Sequence, residues 1–197
     1  TIAVFYSGQL VFADGVPVGG NHVTNDIALG LSTPKSHAER MKTLYGSTLP
    51  SPTDEKDIME VPLIGEEDAA NATHVPRSAL TGIIQPRIEE TLELVRDKLE
   101  MGGGVARAGK RVVLTGGASQ LQGMREVTAR VLDKQVRMGR PLRIAGLAEA
   151  TAGPGFSACA GLLLYAARNP QEAIAVDTHG NGAGRFSRIG RWLKENF

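Results

Sequence analysis

Apolar positions alternate along the opening stretch TIAVFYSGQLVFADGVPVGG, where Ile2 and Val4 interleave with Ala3 and Phe5. Leu10, Phe12, Val16 and Val18 extend the pattern, which predicts two strands joined at Ser7-Gly8. After Gly19-Gly20 the period lengthens. Val23, Ile27 and Leu31 fall at i, i+4 and i+8, the stripe of a helix. STPKSHAERMKTLYG predicts a second helix, with Ser32 or Thr33 as N-cap, Pro34 in the first turn and Gly46 at its end. The next stretch is polar and broken by prolines around IMEVPLI, which suits an edge strand followed by a loop. Leu80, Ile84, Ile88, Leu92, Val95 and Leu99 then form one long helical stripe. Pro86 should kink that helix or mark its start, and Gly102-Gly103-Gly104 should end it.

KRVVLTGGASQLQGMREVTARVLDKQVRMGRP reads as strand, glycine turn, helix and short strand, the helix marked by Leu121, Met124, Val127 or Thr128, and Val131. GFSACAGLLLYAA predicts a helix rich in small residues, packed tightly against a sheet. The stretch from Asn169 to Ala183 has little apolar content and several Gly, Asn, Asp and Pro, the composition of a flexible linker. The chain closes on GRFSRIGRWLKENF. There Phe186, Ile189, Leu193 and Phe197 share one helical face, Trp192 lies beside them, and Arg185, Arg188, Arg191 and Lys194 recur every third residue. Strands separated by helices, with a helix-plus-strand module inserted in one connection, predict an α/β fold. Its sheet should be mixed and flanked by helices.

Composition narrows the function classes. Hydrophobic residues make up 42% of the chain, enough for a core, and no apolar run approaches the roughly 18 residues that span a bilayer. The formal charge is +1, so no surface built for nucleic acid is expected, and the only local excess is the basic tail. Cys159 is the single cysteine; in an apolar stretch it is expected to be a buried small hydrophobe, and it fits a reducing compartment. The four histidines are scattered, so no metal site built from side chains alone is expected.

Two stretches offer chemistry. VVLTGGASQ runs a strand into Gly116-Gly117 and a helix start, where missing side chains admit a ligand and N-terminal amides favour an anion. Alone it is a weak signal, and a plain tight turn is the commoner reading. In HAERMK, Glu39 and Lys42 stand at i and i+3 on one helix side. A carboxylate there can accept from ribose hydroxyls and a lysine stem can lie on an adenine face; the alternative is a solvated surface pair.

These stretches carry a resemblance. VVLTGGASQLQGMRE with VLDKQVRMGRP resembles the adenosine motif of the actin and heat-shock-chaperone superfamily. Ala38-Glu39-Arg40 with Lys42 is similar to the adenine-contacting helix of bacterial actins. VPVGGNHVTNDIALGLSTPKSHAERMKTLYG resembles the FtsA family of actin-like cell-division proteins, and VPRSALTGIIQPRIEETLELVRDKLE and the closing basic helix match it too. The resemblance runs from Thr1 to Phe197 and is loosest from Gly65 to Thr73 and in the linker.

It implies an actin-like ATPase fold of the ribonuclease H-like type. Residues 1–31 and 108–167 would be subdomain IIA, 32–107 an inserted subdomain IIB, 168–183 the linker and 184–197 a membrane-targeting amphipathic helix. Glu39, Lys42, Gly116, Gly117 and Ala118 would bind ATP with Mg, most of the phosphate and metal site lying outside this stretch. Thr1 opens within a strand and without a methionine, so the chain is read as a piece of a longer protein. No catalytic residue is assigned, and this piece alone is not expected to hydrolyse ATP. The implied partners are the C-terminal peptide of FtsZ, a second copy of the chain in an actin-like filament, other divisome proteins and an anionic membrane. Arg77, Arg87 and Arg96 on the long helix offer carboxylate clamps for the peptide, with Arg87 and Arg96 favoured. Phe186, Ile189, Trp192, Leu193 and Phe197 would sink into the membrane while Arg185, Arg188, Arg191 and Lys194 meet its headgroups. The expected function is an adaptor that binds ATP, polymerises and anchors the FtsZ ring at the septum, on the cytoplasmic face of the inner membrane. The alternative is another ATPase or a sugar kinase of the same superfamily whose catalytic half is missing here.

Overall fold

The computed structural model describes residues 1–65, 72–102, 109–144, 146 and 148–168. Strands β1 (Ile2–Tyr6) and β2 (Gln9–Asp14) pair antiparallel across the expected turn, where Ser7 and Gly8 have φ of 50° and 81°. These are the primed-turn dihedrals that match strand twist. β2 stops at Asp14 and does not run on through Val16 and Val18. The Asp14 carboxylate there accepts from Gly15 N at 2.7 Å, and Pro17 has no N–H to offer a ladder.

Helix α1 (Gly20–Gly30) buries Val23, Thr24 and Ile27, and α2 (Lys35–Tyr45) buries Ala38, Met41 and Lys42. Neither Ser32 nor Thr33 caps α2; Pro34 occupies the N-cap position. The Thr33 hydroxyl instead donates to the Pro62 carbonyl at 2.7 Å, fastening the entry of α2 to the segment after β3. Strand β3 (Ile58–Val61) pairs antiparallel with β4 (Thr73–Pro76), a strand where the sequence suggested a loop. Helix α3 (Arg77–Met101) continues through Pro86, which lies inside it and neither starts nor ends it. Pro86 and Gly82, whose carbonyl loses its partner, both face solvent, so water can take the missing bond.

Strand β5 (Arg111–Leu114) leads through a short 3-10 turn (Gly117–Gln120) into α4 (Met124–Leu132) and then β6 (Gln135–Met138), parallel to β5. Helix α5 spans Ser157–Arg168. The sheets are three separate pairs: β1-β2, β3-β4 and β5-β6. One core joins Val23 and Ile27 of α1, Met41 of α2, Leu80, Ile84 and Ile88 of α3, and Val127 of α4. A smaller cluster packs Ile2 and Val4 against Leu99.

The chain divides into two compact units, Thr1–Ala158 and Cys159–Phe197. In the second, Cys159 is exposed, contrary to the expectation from its apolar surroundings; Ala160, one residue and about 100° further round the helix, is buried. The stretch 169–197 lies outside the described residues, and with it the linker and all nine membrane-binding positions.

Gly46 ends α2 by close approach. A Cβ built there meets the Lys42 carbonyl oxygen at 2.2 Å and Leu121 Cδ2 at 2.9 Å. Gly46→Ala should therefore force backbone apart and destabilise the fold by about 1–3 kcal/mol. Urea unfolding checks it: the midpoint should fall, and an unchanged midpoint would mean the contact relaxes freely.

Candidate functional site

Three elements converge on a cleft of about 640 Å³. The start of α1 contributes Gly20 and Asn21, one side of α2 contributes Glu39 and Lys42, and the turn after β5 contributes Gly117 and Ala118. A Cβ added at Gly117 would meet nothing within 4 Å among the described residues, so the absent side chain leaves open space there. Gly116, expected to line the site, is not among the lining residues. Its φ of 100° and ψ of 168° turn the chain into the 3-10 segment, a conformation essentially reserved for glycine. Its N–H donates to the Pro154 carbonyl at 3.1 Å, which joins the turn to the segment before α5.

Glu39 and Lys42 are no solvated surface pair. Lys42 is only 8% exposed, and its ammonium donates to Glu39 Oε2 at 2.7 Å, Thr24 Oγ1 at 2.8 Å and the Gly20 carbonyl at 3.2 Å. An ammonium has three protons, and all are taken. Any ligand in the cleft meets the lysine through its stem. Glu39, by contrast, is half exposed and presents a carboxylate. Burial pushes its pKa up, but hydrogen bonds from Lys42 and Thr24, with the charges of Lys42 and Lys35, outweigh that and hold it below the ordinary value. Glu39 is thus an ionised acceptor at neutral pH. Thr24 belongs to this constellation and was missed in the sequence. The available signal was a hydroxyl set beside Val23 and Ile27 on a helix stripe.

The opposite side of α2 walls a second cleft, of about 730 Å³. His37, Arg40 and Tyr45 come from α2, Lys56 and Ile58 from the segment entering β3, and Arg77 from the start of α3. Arg77 is held in place by Nε donating to the Tyr45 carbonyl and Nη2 donating to Gln122 Oε1, each at 2.9 Å. Asp54 is 2% exposed, its Oδ1 has no hydrogen-bond partner among the described residues, and that oxygen lies 3.8 Å from Arg77 Nε. Arg40 and Lys56 are exposed.

Arg87 has internal partners. It bridges α3 to α1 through a forked contact with Asp26 and also donates to Glu90. Arg96 is partly exposed, and its Nε lies 3.8 Å from Asp97 Oδ1. Nine residues separate the two arginines, two and a half turns, so they project from opposite sides of α3 and do not converge. Among the described residues no three His, Cys, Asp or Glu gather where they could hold a metal ion, and no helix is long and apolar enough to cross a membrane.

A family model described as cell division protein FtsA matches residues 1–161. The chain belongs to the FtsA family. It is 50% identical to the cell division protein FtsA of Rhizobium meliloti (strain 1021) and 33% identical to that of Escherichia coli (strain K12), each over the whole chain. It covers 46% and 48% of those two proteins, so this FtsA-family chain spans about half the length of the curated relatives it matches. Its fold is that of the actin-like ATPases. A crystal structure of MreB5 of Spiroplasma citri bound to AMPPNP superposes with a TM-score of 0.57 at 14% identity, over 86% of this chain and 50% of that one. The same protein bound to ADP gives a TM-score of 0.59 at 14% identity, over 89% of this chain and 50% of that one.

Proposed function

We propose that the first cleft binds the adenosine part of ATP and that the whole protein works as a membrane-tethered adaptor of the division ring. The observation that carries the nucleotide reading is the meeting of Glu39 and Lys42 with Gly117 and Ala118 on one cleft. The ionised Glu39 accepts ribose hydroxyls, the lysine stem covers one face of the base, and the side-chain-free wall at Gly117 admits the other. The actin-like neighbours crystallised with AMPPNP and with ADP support it. Mg and the phosphate groups need donors beyond these residues. On this reading residues 1–31 and 108–167 form subdomain IIA, and 32–107 the inserted IIB.

The acidic-hydrophobic C-terminal peptide of FtsZ goes to the second cleft. Arg40 and Lys56 offer exposed cations there, and Ile58 and Tyr45, 55% and 45% exposed, offer apolar surface. Arg87 is the poorer clamp, because a peptide carboxylate would have to displace Asp26 and Glu90. Filament formation with a second copy, contacts with other divisome proteins and an anchor formed by 184–197 complete the proposal.

Calorimetry on the full-length protein tests both clefts. ATP should bind, and the double reversal Arg40→Glu with Lys56→Glu should weaken the FtsZ peptide by about tenfold or more while ATP affinity stays unchanged. No ATP binding overturns the nucleotide reading. An unchanged peptide affinity moves FtsZ to another surface.

A further inference from the structure

We propose that Thr24 is a positioning residue that fixes the Glu39 carboxylate for the sugar of the bound nucleotide, an inference that rests on the nucleotide reading above. Thr24 lies in the second turn of α1 and is 1% exposed. Between Val23 and Ile27 a valine would fill the same space without a polar atom to desolvate. The hydroxyl is nonetheless present, and it is satisfied by the cleft's two charged side chains.

Its oxygen accepts from Lys42 Nζ at 2.8 Å. Its single proton has two acceptors in reach, Glu39 Oε2 at 2.5 Å and the Gly20 carbonyl at 3.1 Å. The nearer, ionised oxygen is the stronger acceptor. Oε2 of Glu39 is therefore held from two elements at once, by Lys42 from its own helix and by Thr24 from α1. That leaves Oε1 as the oxygen able to accept from a ligand. A glutamate rotates freely about its side-chain bonds, and two anchors on one oxygen set where the other stands before any ligand arrives. The chemistry such a preset carboxylate oxygen recognises is a vicinal hydroxyl, so the consequence is discrimination of ribonucleotides from sugars lacking hydroxyls.

Affinities for ATP and 2′,3′-dideoxy-ATP are compared by calorimetry on the full-length protein. The wild type should prefer ATP. Thr24→Val should lower ATP affinity by about tenfold while leaving 2′,3′-dideoxy-ATP affinity unchanged, and Thr24→Ser should restore the preference. In a Glu39→Ala background, Thr24→Val should have no further effect on either ligand. Should Thr24→Val fail to fold by circular dichroism, Thr24→Ala carries the same comparison. An equal loss for both nucleotides would mean that Thr24 merely holds the walls together, and an unchanged preference would remove it from the site. Either overturns the inference while the nucleotide reading stands. A wild type that binds neither nucleotide overturns that reading instead, and this inference with it.

Discussion

Gly117→Val in the full-length protein is expected to reduce ATP affinity by about a hundredfold or more while leaving thermal stability close to that of the wild type. The two halves of that expectation come from one geometry. Among the described residues no atom lies within 4 Å of a Cβ at Gly117, and its backbone is outside the left-handed region, so the fold has room for a side chain. The room is the cleft itself, bordered by Ala118, Glu39 and Lys42. Three added carbons would occupy the position proposed for the base, and a close-packed site tolerates overlap poorly. The neighbouring glycine separates the effects. At Gly116, with φ of 100°, any side chain strains the backbone, so Gly116→Ala should lose about 1–3 kcal/mol of stability. Calorimetry with ATP beside a thermal melt reads both numbers. ATP binding by Gly117→Val at wild-type affinity would sink the cleft assignment.

The helices were the legible part of this fold. A stripe such as Leu80, Ile84, Ile88, Leu92 and Leu99 needs nothing but apolar spacing to declare itself, and all five are buried in α3. Strand β4 was not legible, because four residues ending in Pro76 show no alternation and acquire their meaning from β3. The cleft was half legible. Glu39, Lys42, Gly117 and Ala118 were visible as local patterns, and the structure brings them to one cleft. Their internal wiring was hidden, since Thr24 meets Glu39 across fifteen positions of sequence. The arginines of α3 were indistinguishable by spacing. Only the partners that folding delivers, Asp26 to Arg87 and Gln122 to Arg77, show which of them are tied to other elements.

Trp192→Glu is expected to release the full-length protein from anionic vesicles, lowering the bound fraction by about tenfold or more. The closing stretch lies outside the described residues, so its sequence pattern carries the expectation. Phe186, Ile189, Trp192, Leu193 and Phe197 fall on or beside one helical face. Each would yield roughly 1.5–3 kcal/mol at full burial, and less in an interface that covers it partway. Arg185, Arg188, Arg191 and Lys194 add about 1 kcal/mol apiece near anionic lipid. Ordering the segment and losing free translation oppose this, so one copy is expected to bind weakly and a filament presenting many to bind firmly. A glutamate at 192 removes the largest apolar group and sets a like charge against the lipid surface. A coil as long as the stretch from Asn169 to Ala183 would span about 20 Å, enough for the body to stand off the bilayer. Trp192 is the only tryptophan, so its fluorescence reports the event directly. It should shift to the blue on anionic vesicles and much less on neutral ones. A Trp192 emission that is already blue and indifferent to lipid would place the helix against its own protein and end the anchor reading.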